Sequence, residues 1–190
     1  GIHVNLRFHP VIMAAAGELA IQALEDTAEQ KKGEYVLVVD GAISTDPNAV
    51  FGAVGERDGK PVSMLQRLTE LAQDSLAVIA LGTCAAFGGI PAAKPNPTSC
   101  KSVKDALQGQ GISKPLINIP GCPPHPDWFV WTVASVILKG LPTADDLDDL
   151  HQWHRIEEME PCHPVRPAAA RGDGSDRQRR GIGRQHTVVV

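Results

Sequence analysis

The chain has 190 residues, of which 43% are hydrophobic and 4% aromatic, and its formal net charge is −4. These values fit one ordinary soluble domain with a sizeable core, and they exclude the basic, aromatic surface of nucleic-acid-binding proteins. No apolar run approaches the roughly 20 residues that span a bilayer, so no transmembrane segment is predicted.

Taken in order, the chain alternates between predicted strands and predicted helices. Short β-branched and aliphatic runs indicate strands at 2–8, 35–39, 76–81 and 116–119. Stretches of good helix formers with apolar residues on one face predict helices at about 14–31, 62–73, 102–108 and 126–139. This alternation predicts an α/β fold in which a parallel sheet lies between two layers of helices.

The composition changes after residue 150. Six arginines, two aspartates and very few apolar residues occupy 166–186, with no helical or strand period. Such a segment buries too little apolar surface to fold, so disorder is expected. The sequence therefore predicts a folded domain at 1–150 and a disordered basic tail at 151–190.

Two cysteine-containing stretches each follow a predicted strand. Cys84 lies in LGTCAAFGGIP, and Cys122 lies in IPGCPPHPDW. Loops at the carboxyl ends of parallel strands are where open α/β sheets bind their ligands. Glycines allow close approach of the backbone to a bulky group, and prolines stiffen the second loop. The two thiols look like half of a metal or cluster site.

The motifs GTCAAFGGIPAAKPNPT and NIPGCPPHPDW resemble the small, electron-transferring subunit of nickel–iron hydrogenases, including the nickel–iron–selenium branch. The likeness runs from Phe8 to about Leu150. It implies a flavodoxin-like domain in which Cys84 and Cys122 are two ligands of a proximal [4Fe-4S] cluster. The nickel–iron centre that interconverts H₂ with protons and electrons would belong to a large subunit, so no catalytic residue is expected in this chain.

The resemblance also implies partners and a location. The chain would pass electrons between the large subunit and an acceptor such as a cytochrome or a ferredoxin, in the periplasm or at a membrane. No nucleic-acid partner is expected. The chain begins at Gly1 and shows no export signal. We expect Phe87, Ile90 and Trp128 to be partly exposed at the cysteine edge, where the family binds its large subunit, and we expect a cavity beside the cysteine loops.

One departure from the family limits these implications. The family's other two ligands of the proximal cluster form a CxxC pair near the N-terminus, and this sequence has no CxxC. The pattern of the C-terminal domain, which binds further clusters, is also missing after Leu150. We therefore expect a fragment that lacks both parts and that performs no catalysis alone. Four cysteines are normally needed for a cluster, so two hold one only weakly or with borrowed ligands.

Two other functions remain open. The chain could be the cluster-bearing subunit of a respiratory quinone oxidoreductase, although GTCAAFGGIPAAKPNPT is closer to the hydrogenase pattern. It could instead be a flavodoxin-like interaction fragment that has no cluster and only packs on a partner. The visible absorption of iron bound by thiolates distinguishes a cluster protein from the last of these.

Six further positions have a structural interpretation beside a functional one. Cys100 is interpreted as a thiol at a helix start rather than a ligand. Cys162 with His163 could bind a metal, although a free thiol in the tail is favoured. His125 either hydrogen-bonds a cluster sulfide or a partner chain, or is a structural histidine tied to backbone carbonyls. His9, before Pro10, has the same alternatives. Asp40 either serves proton movement or a subunit contact, or is a solvated turn residue.

Overall fold

The computed structural model describes residues 4–46, 48, 51–153 and 186–189. Its strands are β1 Val4–Phe8, β2 Tyr35–Asp40, β3 Ile43–Ser44, β4 Ala53–Arg57, β5 Lys60–Ser63, β6 Ala77–Leu81, β7 Cys100–Lys101, β8 Leu116–Ile119 and β9 His186–Val189. Its α-helices are α1 Gly17–Gln30, α2 Met64–Asp74, α3 Thr83–Phe87, α4 Val103–Gly109 and α5 Pro126–Lys139. Short 3₁₀ turns occur at Ile90–Ala92 and Ala144–Asp146.

The main sheet has five parallel strands in the order β1-β9-β2-β6-β8. In its centre Val38 pairs with Ile79, and Ile79 pairs with Ile117. Two small antiparallel pairs, β3 with β7 and β4 with β5, lie beside it. The predicted α/β class and parallel sheet are confirmed, and all the predicted strands and helices are present with boundaries shifted by three residues or fewer.

Alternate residues of the inner strands face two separate cores, which gives the predicted three layers. One face packs against α1, α2, α3 and α4 through a cluster that includes Tyr35, Val78 and Leu116. The other face packs against α5 through a cluster that includes Ile79 and Ile117. Because side chains of a strand point alternately to its two sides, a fully apolar strand such as AVIAL has to be covered on both.

The structure adds a hairpin that the sequence interpretation missed. Strands β4 and β5 are joined by Asp58-Gly59, and both residues have positive φ, 54° and 71°. Asp-Gly is a preferred pair in two-residue hairpin turns because both central residues need positive φ. The signal was therefore present in the sequence. The hairpin leads into α2, whose first turn is capped by the Ser63 hydroxyl, which accepts from the Gln66 N–H at 3.1 Å.

A network of four charged side chains joins the hairpin to α1 and α2. Arg67 is 4% exposed and donates to Glu25 at 2.8 Å and to Glu70 at 3.4 Å. Arg57 donates to Glu70 at 2.8 Å and to Glu25 at 3.2 Å. The two guanidinium groups hold the pKa of each carboxyl below its usual value. The network thus joins α1 to the hairpin and to α2, which directly follows the hairpin in the chain.

The predicted domain boundary at Leu150 does not mark the end of the packed chain. Trp153 is buried in the second core, and the His151 carbonyl accepts from the Asn118 N–H at 2.7 Å, along the edge strand β8. The residues His186–Val189 form β9, in a segment for which the sequence predicted no strand. Its Thr-Val-Val run suits a strand, but arginine-rich sequence precedes it.

The rest of the predicted tail, at 154–185 and 190, lies outside the described residues, so its predicted disorder stays a prediction. Cys162 and His163 lie there too. Among the helices that the structure describes, none is long and apolar enough to cross a membrane.

Candidate functional site

Cys84 lies in the first turn of α3, directly beyond the carboxyl end of β6. The loop folds back tightly after it, and Gly89 passes against the cysteine. A Cβ placed on Gly89 would lie 2.6 Å from the Cys84 Sγ and 3.0 Å from its Cα. Such contacts do not occur in folded proteins, and the φ of Gly89 is also positive at 55°, so only glycine fits there. The sequence analysis predicted that glycines let the backbone come close to a bulky group. At Gly89 the group that lies against the backbone is the Cys84 side chain.

Cys122 lies on the loop between β8 and α5, and its side chain is exposed. Gly121 precedes it with a φ of 125°. A Cβ on Gly121 would lie 2.6 Å from the Cα of Pro124 and 2.9 Å from the carbonyl oxygen of Pro123. The loop thus turns sharply at Gly121 and is stiffened by the prolines that follow.

Hydrogen bonds join the two cysteine loops to each other. The Thr83 N–H donates to the Gly121 carbonyl at 2.9 Å, and the Gly121 N–H donates to the Thr83 hydroxyl at 3.1 Å. One residue earlier, the Gly82 N–H donates to the Ile119 carbonyl at 2.7 Å. Thr83 immediately precedes Cys84, and Gly121 immediately precedes Cys122. The two cysteines therefore extend from neighbouring, mutually bonded backbone positions on one edge of the sheet, as predicted from parallel strands.

Asp40 reaches the same edge from β2. Its Oδ1 lies 3.6 Å from the position that a Cβ on Gly82 would occupy. The carboxylate is thus a neighbour of the Gly82 backbone that precedes Cys84, and it lies at the end of the strand next to β6. The placement fits the sequence prediction of a carboxylate at this strand end, while its proposed roles remain predictions.

The structure gives His125 and His9 similar local roles. His125 is the N-cap of α5, where its Nδ1 accepts from the Asp127 N–H at 3.2 Å. Its ring lies 6.0 Å from that of Trp128. The Nδ1 of His9 accepts from the Val11 N–H at 3.1 Å. In both residues one ring nitrogen is thus tied to the backbone, which supports the structural interpretation for that nitrogen, although the bonds come from amides rather than carbonyls.

Cys100 is not at a helix start, which corrects the sequence interpretation. It lies in β7, paired with Ser44, and α4 begins after it, where the Ser102 hydroxyl accepts from the Asp105 N–H at 3.1 Å. The Cys100 Sγ is buried and accepts from the Thr98 hydroxyl at 3.1 Å. A thiol held in this way supports the interpretation that Cys100 is not a cluster ligand.

Apolar side chains at the cysteine edge are exposed, as the sequence analysis expected. Ile90 is 89% exposed and Phe87 is 43% exposed, and Trp128 is partly exposed. At the end of β1, Val11 and Ile12 are also exposed. Exposed apolar side chains at one edge of a sheet are the kind of surface that contacts a partner when they form a contiguous patch.

Two cavities lie away from this edge. One of about 250 Å³ is lined by the charge network between α1 and α2, including Arg57 and Arg67. A second cavity, of about 360 Å³, lies beside β1 and is lined by residues such as Asn5 and Gln30. The predicted cavity at the cysteine loops remains a prediction. Among the described residues, no group of three or more histidine, cysteine or acidic side chains could hold a metal ion.

The chain is similar in sequence to known hydrogenase small subunits. The chain is 45% identical over 137 residues to the periplasmic [NiFeSe] hydrogenase small subunit of Desulfomicrobium baculatum, a match that covers 70% of this chain and 44% of that protein. It is 42% identical over 143 residues to the periplasmic [NiFe] hydrogenase small subunit of Solidesulfovibrio fructosivorans. This match covers 75% of this chain and 42% of that protein. The chain thus spans less than half the length of these relatives.

Solved structures agree. A reduced, active form of the Ni-Fe-Se hydrogenase from Desulfomicrobium baculatum matches with a TM-score of 0.71 at 42% identity, over 77% of this chain and 56% of that chain. Residues 2–136 match the family model described as NADH ubiquinone oxidoreductase, 20 Kd subunit. The chain therefore belongs to the NADH ubiquinone oxidoreductase 20 Kd subunit family, and the relatives that it resembles are small subunits of nickel–iron and nickel–iron–selenium hydrogenases.

Proposed function

We propose that this chain is part of the small subunit of a nickel–iron hydrogenase, and that Cys84 and Cys122 are two of the four ligands of a proximal [4Fe-4S] cluster. The observation that supports this most directly is the pair of hydrogen bonds between Thr83 and Gly121, which holds the two cysteine loops together. Relatives that are hydrogenase small subunits supply the assignment to this enzyme class.

The donor set fits the cluster in kind but supplies half of the ligands. Thiolates are the usual ligands of iron–sulfur clusters, and four are normally required. The remaining two have to come from residues outside these two loops. When bound, such a cluster takes up and releases one electron at a time, with a potential set by burial and by hydrogen bonds to its sulfurs. The chain's own residues fix the two thiols, and the exposed edge admits a partner.

The partner proposed for this edge is the hydrogenase large subunit, which would carry the nickel–iron centre. Ile90 and Phe87 lie exposed beside Cys84, where contact would shorten the path of the electron. The acceptor on the other side would be a cytochrome or a ferredoxin, and the location would be periplasmic, as the relatives' names state for those proteins. The isolated chain would not turn over H₂.

The test is anaerobic reconstitution of the chain with iron and sulfide, followed by visible spectroscopy and iron analysis. We expect a weak, broad thiolate-to-iron charge-transfer band in the unmodified chain, because its two cysteine loops supply two of the four ligands. Cys84→Ser and Cys122→Ser should each remove most of this band, because serine replaces a soft thiolate by a harder oxygen. Cys100→Ser is the matched control, since the Cys100 thiol is buried and accepts a hydrogen bond from the Thr98 hydroxyl, and this variant should keep the band.

Equal cluster content in Cys84→Ser and Cys100→Ser would contradict the assignment. If the unmodified chain shows no band, the same experiment on the full-length protein with its large subunit decides. A band there that is insensitive to Cys84 and Cys122 would overturn the proposal, and a folded complex without any band would favour an interaction fragment that has no cluster.

A further inference from the structure

The strand between β1 and β2 comes from the opposite end of the chain. The β1-α1-β2 unit leaves one strand position open in the sheet, and β9 occupies it. β9 pairs in parallel with both neighbours: Val188 lies opposite Leu6 on one side and opposite Val36 on the other. The 32 residues at 154–185 separate β9 from the preceding described part of the chain. No short connection therefore fixes this strand in its position.

The attachment of β1 depends on this inserted strand. In the part of the chain that the structure describes, β9 is the sheet partner of β1, and α1 provides its other main contact. The side chains of Val4 and Leu6 are 46% and 43% exposed, so apolar burial stabilises β1 only weakly. The backbone pairing with β9 is consequently the main link between β1 and the sheet.

We propose that the position between β1 and β2 is a binding site for a parallel, extended peptide segment rich in β-branched residues, and that His186–Val189 is its exchangeable occupant. Strand addition of this kind derives its affinity from main-chain hydrogen bonds, here on both sides of the segment. Four residues suffice to fill the site. Because the pairing is parallel, residues following a bound segment would emerge at the edge that carries Cys84 and Cys122.

The probe is a fluorescent synthetic peptide with the sequence of residues 184–190, and the protein is the full chain. In the unmodified chain the attached strand competes with the peptide at an effective concentration in the millimolar range. In the Val188→Pro chain the attached strand lacks one backbone N–H and is a poor occupant. We expect the peptide to bind the Val188→Pro chain at least about tenfold more tightly than the unmodified chain, as that competition requires.

A peptide that itself carries Val188→Pro is the matched control and should not bind. Equal binding of the peptide to both chains would show that it binds outside the position between β1 and β2, and this would overturn the proposal. So would the absence of binding to a Val188→Pro chain whose β6 and β8 amides remain protected from hydrogen exchange. The unmodified chain could also form a dimer at high concentration, seen as a doubled mass. If the peptide abolishes this dimer, the site binds the strand of a second copy, which supports the proposal.

If Val188→Pro prevents folding, hydrogen exchange on the unmodified chain decides. A releasable strand requires the amides of β1 and β9 to become exposed together and faster than those of β6 and β8. Protection of β9 equal to that of β6 would show that the strand is not exchangeable and would contradict the proposal.

Discussion

The inner and outer parts of the main sheet are held in different ways. The inner part, β2, β6 and β8, is covered by helices on both faces, and most of its side chains are buried. In the outer part, β1 is mostly exposed and pairs with a strand from the other end of the chain. Both candidate cysteine loops extend from the inner part. The candidate site thus stands on the region whose geometry is best fixed by packing.

The largest expected effect tests how much more the inner part contributes to stability. Ile117→Ala removes a fully buried side chain from β8 and leaves a cavity, so we expect a loss of about 3 kcal/mol in the free energy of unfolding. Leu6→Ala on β1 is the matched control, and its exposed side chain should cost less than about 1 kcal/mol. Urea denaturation measures both. Similar losses would remove the distinction between the two parts.

The second prediction concerns the charge network between α1 and α2. Helix α1 connects the outer strand β1 to the inner strand β2, so the network helps to join the two parts of the sheet. Arg67→Met leaves Glu25 and Glu70 without their buried partner and should destabilise the chain by about 2 kcal/mol. Arg57→Met removes a more exposed guanidinium from the same carboxylates and should cost less than about 1 kcal/mol. Thermal unfolding measures both losses of stability. Their ratio shows whether burial of the guanidinium group determines how much each arginine contributes.

A smaller effect is expected at the start of β2. The Tyr35 hydroxyl is buried and donates to the Leu71 carbonyl in α2, which links the inner sheet to the first helix layer. Burial raises the pKa of this phenol above its ordinary value, so it stays protonated as a donor. Tyr35→Phe should cost about 1 kcal/mol, the usual net value of one hydrogen bond. An unchanged denaturation midpoint would show that this link adds no stability.

The smallest expected effect is on pH dependence. The pKa values of Glu25 and Glu70 are lowered in the folded chain, chiefly by hydrogen bonds from Arg67 and Arg57 respectively. Their contribution to stability is therefore present above the ordinary carboxyl pKa of 4.5 and is lost as the pH falls through the folded values. The double variant Glu25→Gln with Glu70→Gln should show a shallower decline in melting temperature below that pH. An identical decline would mean that other groups control acid unfolding.

Much of the site could be predicted because its signals are local. A strand of β-branched residues followed by Gly-Thr-Cys or Gly-Cys-Pro places each cysteine at a strand end, and parallel strands bring those ends to one edge. The hydrogen bonds between Thr83 and Gly121, the contact of Gly89 with Cys84 and the place of Cys100 in a strand could not be read in this way. They depend on which segments meet after folding.

By itself the sequence determined the parallel α/β class, the succession of the inner strands and their helices along the chain, and the two cysteine loops. These features have local signals, because hydrophobic periodicity and turn residues act over a few positions. Only the tertiary structure decided that a strand at 186–189 lies between β1 and β2, and that Trp153 closes the second core. Strand pairing and burial join residues far apart in the chain, and a four-residue Thr-Val run carries no mark of its partner. The neighbours of such a run are set by the open position in the sheet rather than by its own residues.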